Sequence, residues 1–114
     1  VTKGEIFDVI VDIRKNSKTF KSWASLILNC QEKNQIWIPK GFAHGFLTLS
    51  EEAIVEYKVT NFWEKDLERT IIWNDSSISI EWPRLSNNLV EPNLSSKDMN
   101  GLKLKSIIKK GEVF

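Results

Sequence analysis

Three side chains of this sequence could take part in acid–base chemistry: His44, Tyr57 and Asp98. Imidazole changes its charge most readily near neutral pH, a tyrosine hydroxyl can act as a general acid, and a carboxylate can orient a catalytic histidine. Each residue also has a structural interpretation. His44 could be a buried imidazole bonded to backbone, Tyr57 a core residue, and Asp98 a solvated or helix-capping carboxylate.

A metal site at His44 is not expected. Such sites usually take three or more side-chain ligands. His44 is the one histidine, and no carboxylate or thiol stands at a paired spacing beside it. The remaining interpretation of His44 is a donor to a substrate oxygen, and no cofactor is predicted. Cys30 is the one cysteine, which suits a reducing cytosol and a half-buried structural thiol.

Phe62 and Trp63 place two adjacent aromatic rings at the predicted end of a strand. One ring can pack inward while the other stays exposed. An exposed ring at the rim of a barrel can stack on a flat ligand such as a nucleobase. Packing of the rim against a partner subunit is an equally good interpretation.

Short strands separated by turn residues must position these side chains. Residues 5–14 alternate at period two, which is typical of a half-buried strand. His44 is expected near a tight turn, because Pro39 lacks an amide proton and ends the strand before it. The other predicted strands are 20–29, 35–39, 45–49, 53–60, 70–73 and 78–82. This spacing predicts an all-β sandwich or barrel.

Two further predictions concern the C-terminal part of the chain. Ser95 can cap a short helix, and no helix longer than two turns is expected. The lysine-rich tail from Lys103 to Phe114 is expected to be loosely ordered.

Composition bounds the class of protein. The 114 residues fit one domain, and a hydrophobic content of 41% suffices for a core. The 16 basic and 15 acidic residues are well mixed, which argues against binding nucleic acid. The sequence contains no run of about 18 apolar residues, so no membrane-spanning segment is predicted. It shows no signal-peptide pattern either. We therefore expect a cytoplasmic location. The chain starts at Val1 and enters a predicted strand at once, so we expect a fragment or a processed chain.

Six segments, taken in order, carry a resemblance to one family. They are GEIFDVIVDIR (4–14), WIPKGFAHGF (37–46), EYK (56–58), WND (73–75), IEWP (80–83) and LSSKD (94–98). Together they are similar to the dTDP-4-dehydrorhamnose 3,5-epimerases, metal-free cupins of the dTDP-L-rhamnose pathway. The resemblance runs from residue 1 to about residue 102.

The resemblance implies a cupin-type jelly-roll barrel with short C-terminal helical segments, a dTDP-sugar substrate and a homodimer. The family removes protons at C3 and C5, beside the C4 ketone of dTDP-4-keto-6-deoxyglucose, and returns them on the opposite face. Tyr57 matches the general acid, Asp98 the aspartate that holds the base histidine, and His44 a second histidine that contacts the sugar. The resemblance also implies that Lys58, next to Tyr57, binds the substrate. Phe62 stands where the family usually has a tyrosine that stacks near the thymine, so the ring is kept and the hydroxyl is lost.

The family's base histidine, a lysine near the ketone oxygen and the arginines that hold the diphosphate would all precede Val1. We therefore expect residues 1–114 to be a single cupin domain that lacks the family's N-terminal strands and is nearly inactive by itself. Two alternatives stay open. One is a related dTDP-keto-sugar 3- or 5-epimerase. The other is a non-catalytic cupin that binds a ligand or assembles with a partner.

Overall fold

The computed structural model describes residues 1–83 and 92–111. Its centre is a three-stranded antiparallel sheet in the order β2-β1-β3. The strands are β1 (Glu5–Asp12), β2 (Trp23–Asn29) and β3 (Phe42–Thr48). A 3-10 helix at Lys65–Leu67 and two short α-helices follow, α1 (Ser96–Met99) and α2 (Leu104–Lys109).

The central strand β1 sends alternate side chains to opposite faces of the sheet. Val9 and Val11 on one face form the core with Ile78 and Leu104. Partly buried apolar side chains surround this core: Phe7, Ile13, Phe20, Trp23, Ala43, Ile71, Ile80, Trp82 and Ile108. The other face of β1 carries the buried carboxylates Asp8 and Asp12. The alternation predicted for residues 5–14 is therefore confirmed over Glu5–Asp12, but β1 has buried side chains on both faces, so the expectation of a half-buried strand is wrong.

Helix α2 corrects the expectation of a loosely ordered tail. Leu104 and Ile107 are 0% and 2% exposed, because residues three apart share one face of a helix. Complete burial of one such side chain stabilises the fold by about 1.5–3 kcal/mol. The lysines of this segment occupy the exposed positions, which is why composition alone suggested disorder. Residues 112–114 of the predicted tail lie outside the described residues.

Four of the predicted strands, all within described ranges, do not form. Residues 35–39 and 78–82 have no strand pairing. In 53–60, Ile54 makes an isolated bridge to Lys3, and in 70–73, Ile71 makes one to Leu102. Ile78 nevertheless packs into the core. An apolar pattern predicts that side chains are buried, but a side chain can be buried without its backbone pairing with a strand.

The strand predicted at 45–49 begins earlier, at Phe42, so His44 lies inside β3 rather than in the turn. Gly41 occupies the preceding position with φ 88°, a conformation that glycine adopts without strain. A Cβ at Gly41 would also lie 2.5 Å from Arg14 Cγ. Arg14 lies over the ring of Phe42, 4.8 Å from its centroid.

Asp12 ends β1 and fastens the loop that leads to β2. Arg14 donates from Nε and Nη2 to its two carboxylate oxygens at 2.9 and 2.8 Å. The hydroxyls of Ser17 and Thr19 donate to Oδ2 at 2.6 and 2.7 Å. The hydrogen bond from Arg14 holds the pKa of Asp12 well below its usual range, although burial opposes the shift.

The two α-helices confirm the expectation of short C-terminal helical segments, since the longer has six residues. None of the helices in residues 1–83 and 92–111 is long and apolar enough to cross a membrane.

Candidate functional site

His44 is held by a buried carboxylate on the neighbouring strand. In the pairing of β1 with β3, Ile10 lies opposite His44 and Asp8 lies two residues away on the same face. His44 Nε2 is 2.7 Å from Asp8 Oδ2. The side chains of His44 and Asp8 are 34% and 2% exposed. Since a carboxylate only accepts, Nε2 donates to it and Nδ1 is left for a ligand.

Asp8 is a residue that sequence reasoning missed. The alternation of residues 5–14 places Asp8 on the same face of the strand as Ile6 and Ile10, which are apolar. A lone carboxylate between two isoleucines could have signalled a buried acid with a specific partner. Its second oxygen, Oδ1, is buried and has no hydrogen-bond partner in the described part of the chain.

One open cleft of about 1270 Å³ brings together the three residues predicted to do chemistry. His44, Tyr57 and Asp98 all line it. Tyr57 is 78% exposed, so the interpretation of Tyr57 as a core residue is wrong. Its hydroxyl is available to a ligand in this cleft.

Asp98 lies in the first turn of α1 and is bound to the capping residue. Ser95 Oγ accepts from Asp98 N at 3.1 Å and donates to Asp98 Oδ2 at 2.6 Å. The predicted helix cap at Ser95 is therefore confirmed. Ser95 is thus the cap of α1, and the Asp98 carboxylate accepts the hydrogen bond of the capping hydroxyl.

An ion pair on the cleft wall was not predicted. Lys97 Nζ donates to Glu68 Oε1 at 2.6 Å, and both residues line the cleft with Asp98. The hydrogen bond to Glu68 raises the pKa of Lys97, although burial opposes the shift. The two residues are 29 positions apart, so local spacing carries no signal for this pair.

The two aromatic rings lie differently from the prediction. Phe62 is 100% and Trp63 68% exposed, so neither packs inward. Lys58 is exposed as well. The wall of the cleft, as described, does not include Phe62 or Lys58.

Asp75 joins the loop at one side of the cleft to helix α2. Its Oδ2 accepts from the backbone N–H of Leu104 at 2.7 Å, and its Oδ1 accepts from Ser77 N and Oγ at 2.8 and 2.7 Å. Burial pushes the pKa of Asp75 upward. The hydrogen bonds from Leu104 and Ser77, with the charge of Lys21, outweigh burial, so the pKa lies below its ordinary value.

Carboxylates, thiols and imidazole do not converge as a metal centre anywhere in residues 1–83 and 92–111, where no three such side chains form a ligand group.

Comparison with known proteins gives a consistent assignment. The sequence model of the dTDP-4-dehydrorhamnose 3,5-epimerase family matches residues 1–106. A dTDP-4-dehydrorhamnose 3,5-epimerase from Shigella flexneri is 54% identical over 100 residues, which are 88% of this chain and 52% of that protein. The chain spans about half the length of the curated relatives it matches.

Two solved structures share the fold. One is dTDP-6-deoxy-D-glucose-3,5-epimerase from Legionella pneumophila Philadelphia 1 in complex with dTDP-4-keto-L-rhamnose. It superposes with a TM-score of 0.84 at 39% identity, over 99% of this chain and 57% of that one. The other is a 3'-monoepimerase from Streptomyces bikiniensis in complex with dTDP-quinovose, with a TM-score of 0.86 at 26% identity, over 98% and 55%. The superpositions confirm the predicted all-β fold of cupin jelly-roll type.

Proposed function

Because the chain belongs to the dTDP-4-dehydrorhamnose 3,5-epimerase family, an isomerase family, we propose that it carries the general-acid side of such an active site. The complete protein would epimerise dTDP-4-keto-6-deoxyglucose at C3 and C5. The observation that carries this proposal is the single cleft lined by His44, Tyr57 and Asp98.

The reaction asks for proton transfers alone. A proton on a carbon beside a ketone leaves to a base, the enolate oxygen is stabilised, and an acid on the other face of the ring returns a proton. Tyr57 is proposed as the acid, since its hydroxyl is exposed in the cleft. His44, held at Nε2 by Asp8, would offer Nδ1 to a sugar oxygen. Asp98 would hold the base histidine.

The nucleotide end of the substrate would lie toward the exposed rings. Phe62 presents its whole ring to solvent, which is what stacking on a thymine needs, and Lys58 would contact the substrate close by. A homodimer, a single cupin domain and a cytoplasmic location belong to the same proposal and rest on the sequence predictions.

A chimera tests the proposal. The portion of the Shigella flexneri relative that the match leaves uncovered is joined to this chain, and the product is incubated with dTDP-4-keto-6-deoxyglucose in D₂O. Deuterium should enter at C3 and C5. Tyr57→Phe should lower the rate of epimerisation by about 10²- to 10⁴-fold, the contribution of a general acid, while the affinity for dTDP stays the same. Trp37→Phe is the matched control, because Trp37 is 81% exposed and is not among the cleft residues.

Three results would contradict parts of the proposal. A Tyr57→Phe chimera that loses binding and turnover equally would mean that Tyr57 is not the acid. Deuterium incorporation by the 114-residue chain alone would contradict its expected inactivity. A chimera that binds dTDP without any exchange would favour the non-catalytic cupin.

The related 3-epimerase is the second candidate, favoured by the superposition on the Streptomyces bikiniensis 3'-monoepimerase. Product NMR separates the two candidates. Inversion at C3 and C5 supports the 3,5-epimerase, and inversion at C3 alone supports the alternative.

A further inference from the structure

The side of helix α2 that faces solvent carries an uncompensated positive charge. Residues 99–111 contain four lysines and no acidic residue. We call these four lysines the lysine face, which consists of Lys103, Lys105, Lys109 and Lys110. Without them, the 16 basic and 15 acidic residues of the chain become 12 and 15, a net charge of −3. Charge is therefore mixed over the chain as a whole but separated at this helix.

The packing of α2 directs the lysine face away from the core. Leu104 and Ile107 are 0% and 2% exposed, so they fix which side of the helix is buried. Residues four apart share one side of a helix, and Lys105 and Lys109 lie together on a side that is exposed. The other two lysines flank the helix as its capping residues and are exposed as well.

No carboxylate neutralises the lysine face within residues 1–83 and 92–111. The ion pairs of these residues take their cations from other parts of the chain, namely Lys3, Arg14, His44 and Lys97. Along the sequence, the first acidic residue after Asp98 is Glu112. Four positive charges therefore lie close together in solvent, and their mutual repulsion is unfavourable.

Helix stability does not explain two of these lysines. Cations stabilise the C-terminal end of a helix and are unfavourable at the N-terminal end, where acidic residues are preferred. Lys109 and Lys110 lie at the favourable end. Lys103 and Lys105 lie at the N-terminal end, and the first turn of α2 contains no acidic residue. A partner that attracts positive charge accounts for all four positions.

The residue types favour an anionic lipid surface over nucleic acid as that partner. Residues 99–111 contain no arginine and no aromatic residue. Arginine commonly contacts base edges in duplexes, and aromatic rings stack on the bases of single strands. Lysine is a hydrated point charge on a flexible stem, and the headgroups of a fluid lipid surface can move to meet it. Clustered lysines on a helix are attracted to such surfaces.

We propose that the lysine face attaches this chain peripherally to a membrane surface rich in anionic phospholipid. The attraction is electrostatic, because the buried apolar side of α2 packs in the fold and does not insert into the bilayer. The negative charge of the remainder is repelled by the same surface, so α2 is the side that meets it. The lining of the cleft, as described, includes none of the four lysines, so the proposal does not depend on the proposed function.

Sedimentation with lipid vesicles, in the absence of any nucleotide sugar, tests the proposal. The 114-residue chain is mixed with vesicles of phosphatidylcholine alone, or of phosphatidylcholine and phosphatidylglycerol in equal parts. Each lysine strengthens association with an anionic surface by about fivefold, so half of the chain should sediment at roughly 1 mM anionic lipid. Neutral vesicles should not retain it. Salt at about 1 M should release it, because the Debye length is then about 3 Å.

Substitutions locate the attached surface. Lys105→Gln combined with Lys109→Gln should weaken binding by about 25-fold, and glutamine keeps a helix propensity close to that of lysine. Lys15→Gln combined with Lys18→Gln is the matched control. It removes the same charge from the exposed loop between β1 and β2 and should bind nearly as tightly as the unaltered chain. Circular dichroism checks that every variant is folded.

Three outcomes would overturn the proposal. The first is equal sedimentation with neutral and anionic vesicles, or none with either. The second is binding by the Lys105→Gln and Lys109→Gln double variant that is as tight as that of the unaltered chain. The third is fluorescence anisotropy showing that duplex DNA or single-stranded RNA binds the lysine face more tightly than anionic vesicles do, which would make nucleic acid the partner.

Discussion

Substitution of Asp75 by alanine tests how the C-terminal helix is held against the sheet. Asp75 is 6% exposed and accepts from the first N–H of α2, at Leu104. The residue before the helix, Lys103, provides no side-chain cap. Asp75 therefore caps α2 from a loop 29 residues away. Asp75→Ala would leave the N–H of Leu104 buried without an acceptor.

The magnitude follows from that one group. An N–H left unsatisfied in the interior costs about 1–3 kcal/mol, and loss of a helix cap in other proteins costs about 0.5–2 kcal/mol. These figures describe the same hydrogen bond and are not added. The bonds to Ser77 add little, because Ser77 is exposed and water can replace the carboxylate there. We expect Asp75→Ala to lower the free energy of unfolding by about 2 kcal/mol.

Urea unfolding followed by tryptophan fluorescence measures the effect. With a slope of about 1–3 kcal/mol per molar urea, the midpoint should fall by roughly 1 M at pH 7. Asp66→Ala is the matched control, because Asp66 is exposed in the 3-10 helix and surface substitutions stay within about 0.5 kcal/mol. Asp75→Asn keeps an acceptor without the charge, so its urea midpoint should lie between the midpoints of Asp75→Ala and Asp66→Ala.

The pH dependence of stability independently tests whether the charged Asp75 carboxylate stabilises the fold. The pKa of Asp75 is lower in the folded protein than its ordinary value, so the charged carboxylate stabilises the fold above the unfolded pKa of about 3.9. That contribution is lost as pH falls below this value. The difference in the free energy of unfolding between the unaltered chain and Asp75→Ala should therefore become smaller from pH 7 to pH 3. A gap that widens in acid, or an Asp75→Ala midpoint equal to that of Asp66→Ala, would refute the reasoning.

Three further predictions concern the packing around the site. Gly101→Ala should destabilise the fold by about 1–3 kcal/mol in urea unfolding, because its Cβ would lie 2.9 Å from backbone atoms of Ile72, while Gly45→Ala, with nothing within 4 Å, should not. Ser95→Ala should lower stability by about 1 kcal/mol through loss of the cap on α1, whereas Ser95→Thr, which keeps a hydroxyl that accepts from Asp98 N and donates to Asp98 Oδ2, should cost much less. Asp12→Asn should destabilise the chain at pH 7 and less at pH 3, since the pKa of Asp12 is lowered; a constant difference across this range in thermal unfolding would contradict that.

The sequence predicted β1 because its side chains alternate between the two faces of the sheet. Residues 5–12 pair with a strand on each side. The turn at residues 74–77 is likewise held by a local contact, since Asp75 accepts from the N–H two residues later. Ser95 acts through the helix beside it. These features depend on neighbours in the sequence.

The features that were missed depend on distant partners. Asp8 and His44 are 36 positions apart and Asp75 and Leu104 are 29 apart, so no local pattern connects them. Residues 53–60 have the alternation of a strand, but alternation does not supply a partner, and only Ile54 finds one. Of the site residues, the position of Tyr57 in the cleft came from a resemblance rather than from its neighbours.

The hydrogen bond between Asp8 and His44 has a consequence for how the chain avoids misfolding. Side chains alternate along a strand, so a slip of β1 by one residue against β3 would send Asp8 to the core face. The Asp8 carboxylate would then be buried among the apolar side chains that pack on Val9 and Val11, away from the imidazole of His44. A slip by two would keep the face and still change the separation of the two groups. The pair that presents His44 to the cleft therefore also penalises every wrong register of the sheet, and the chain folds correctly for the same reason that its histidine is correctly placed.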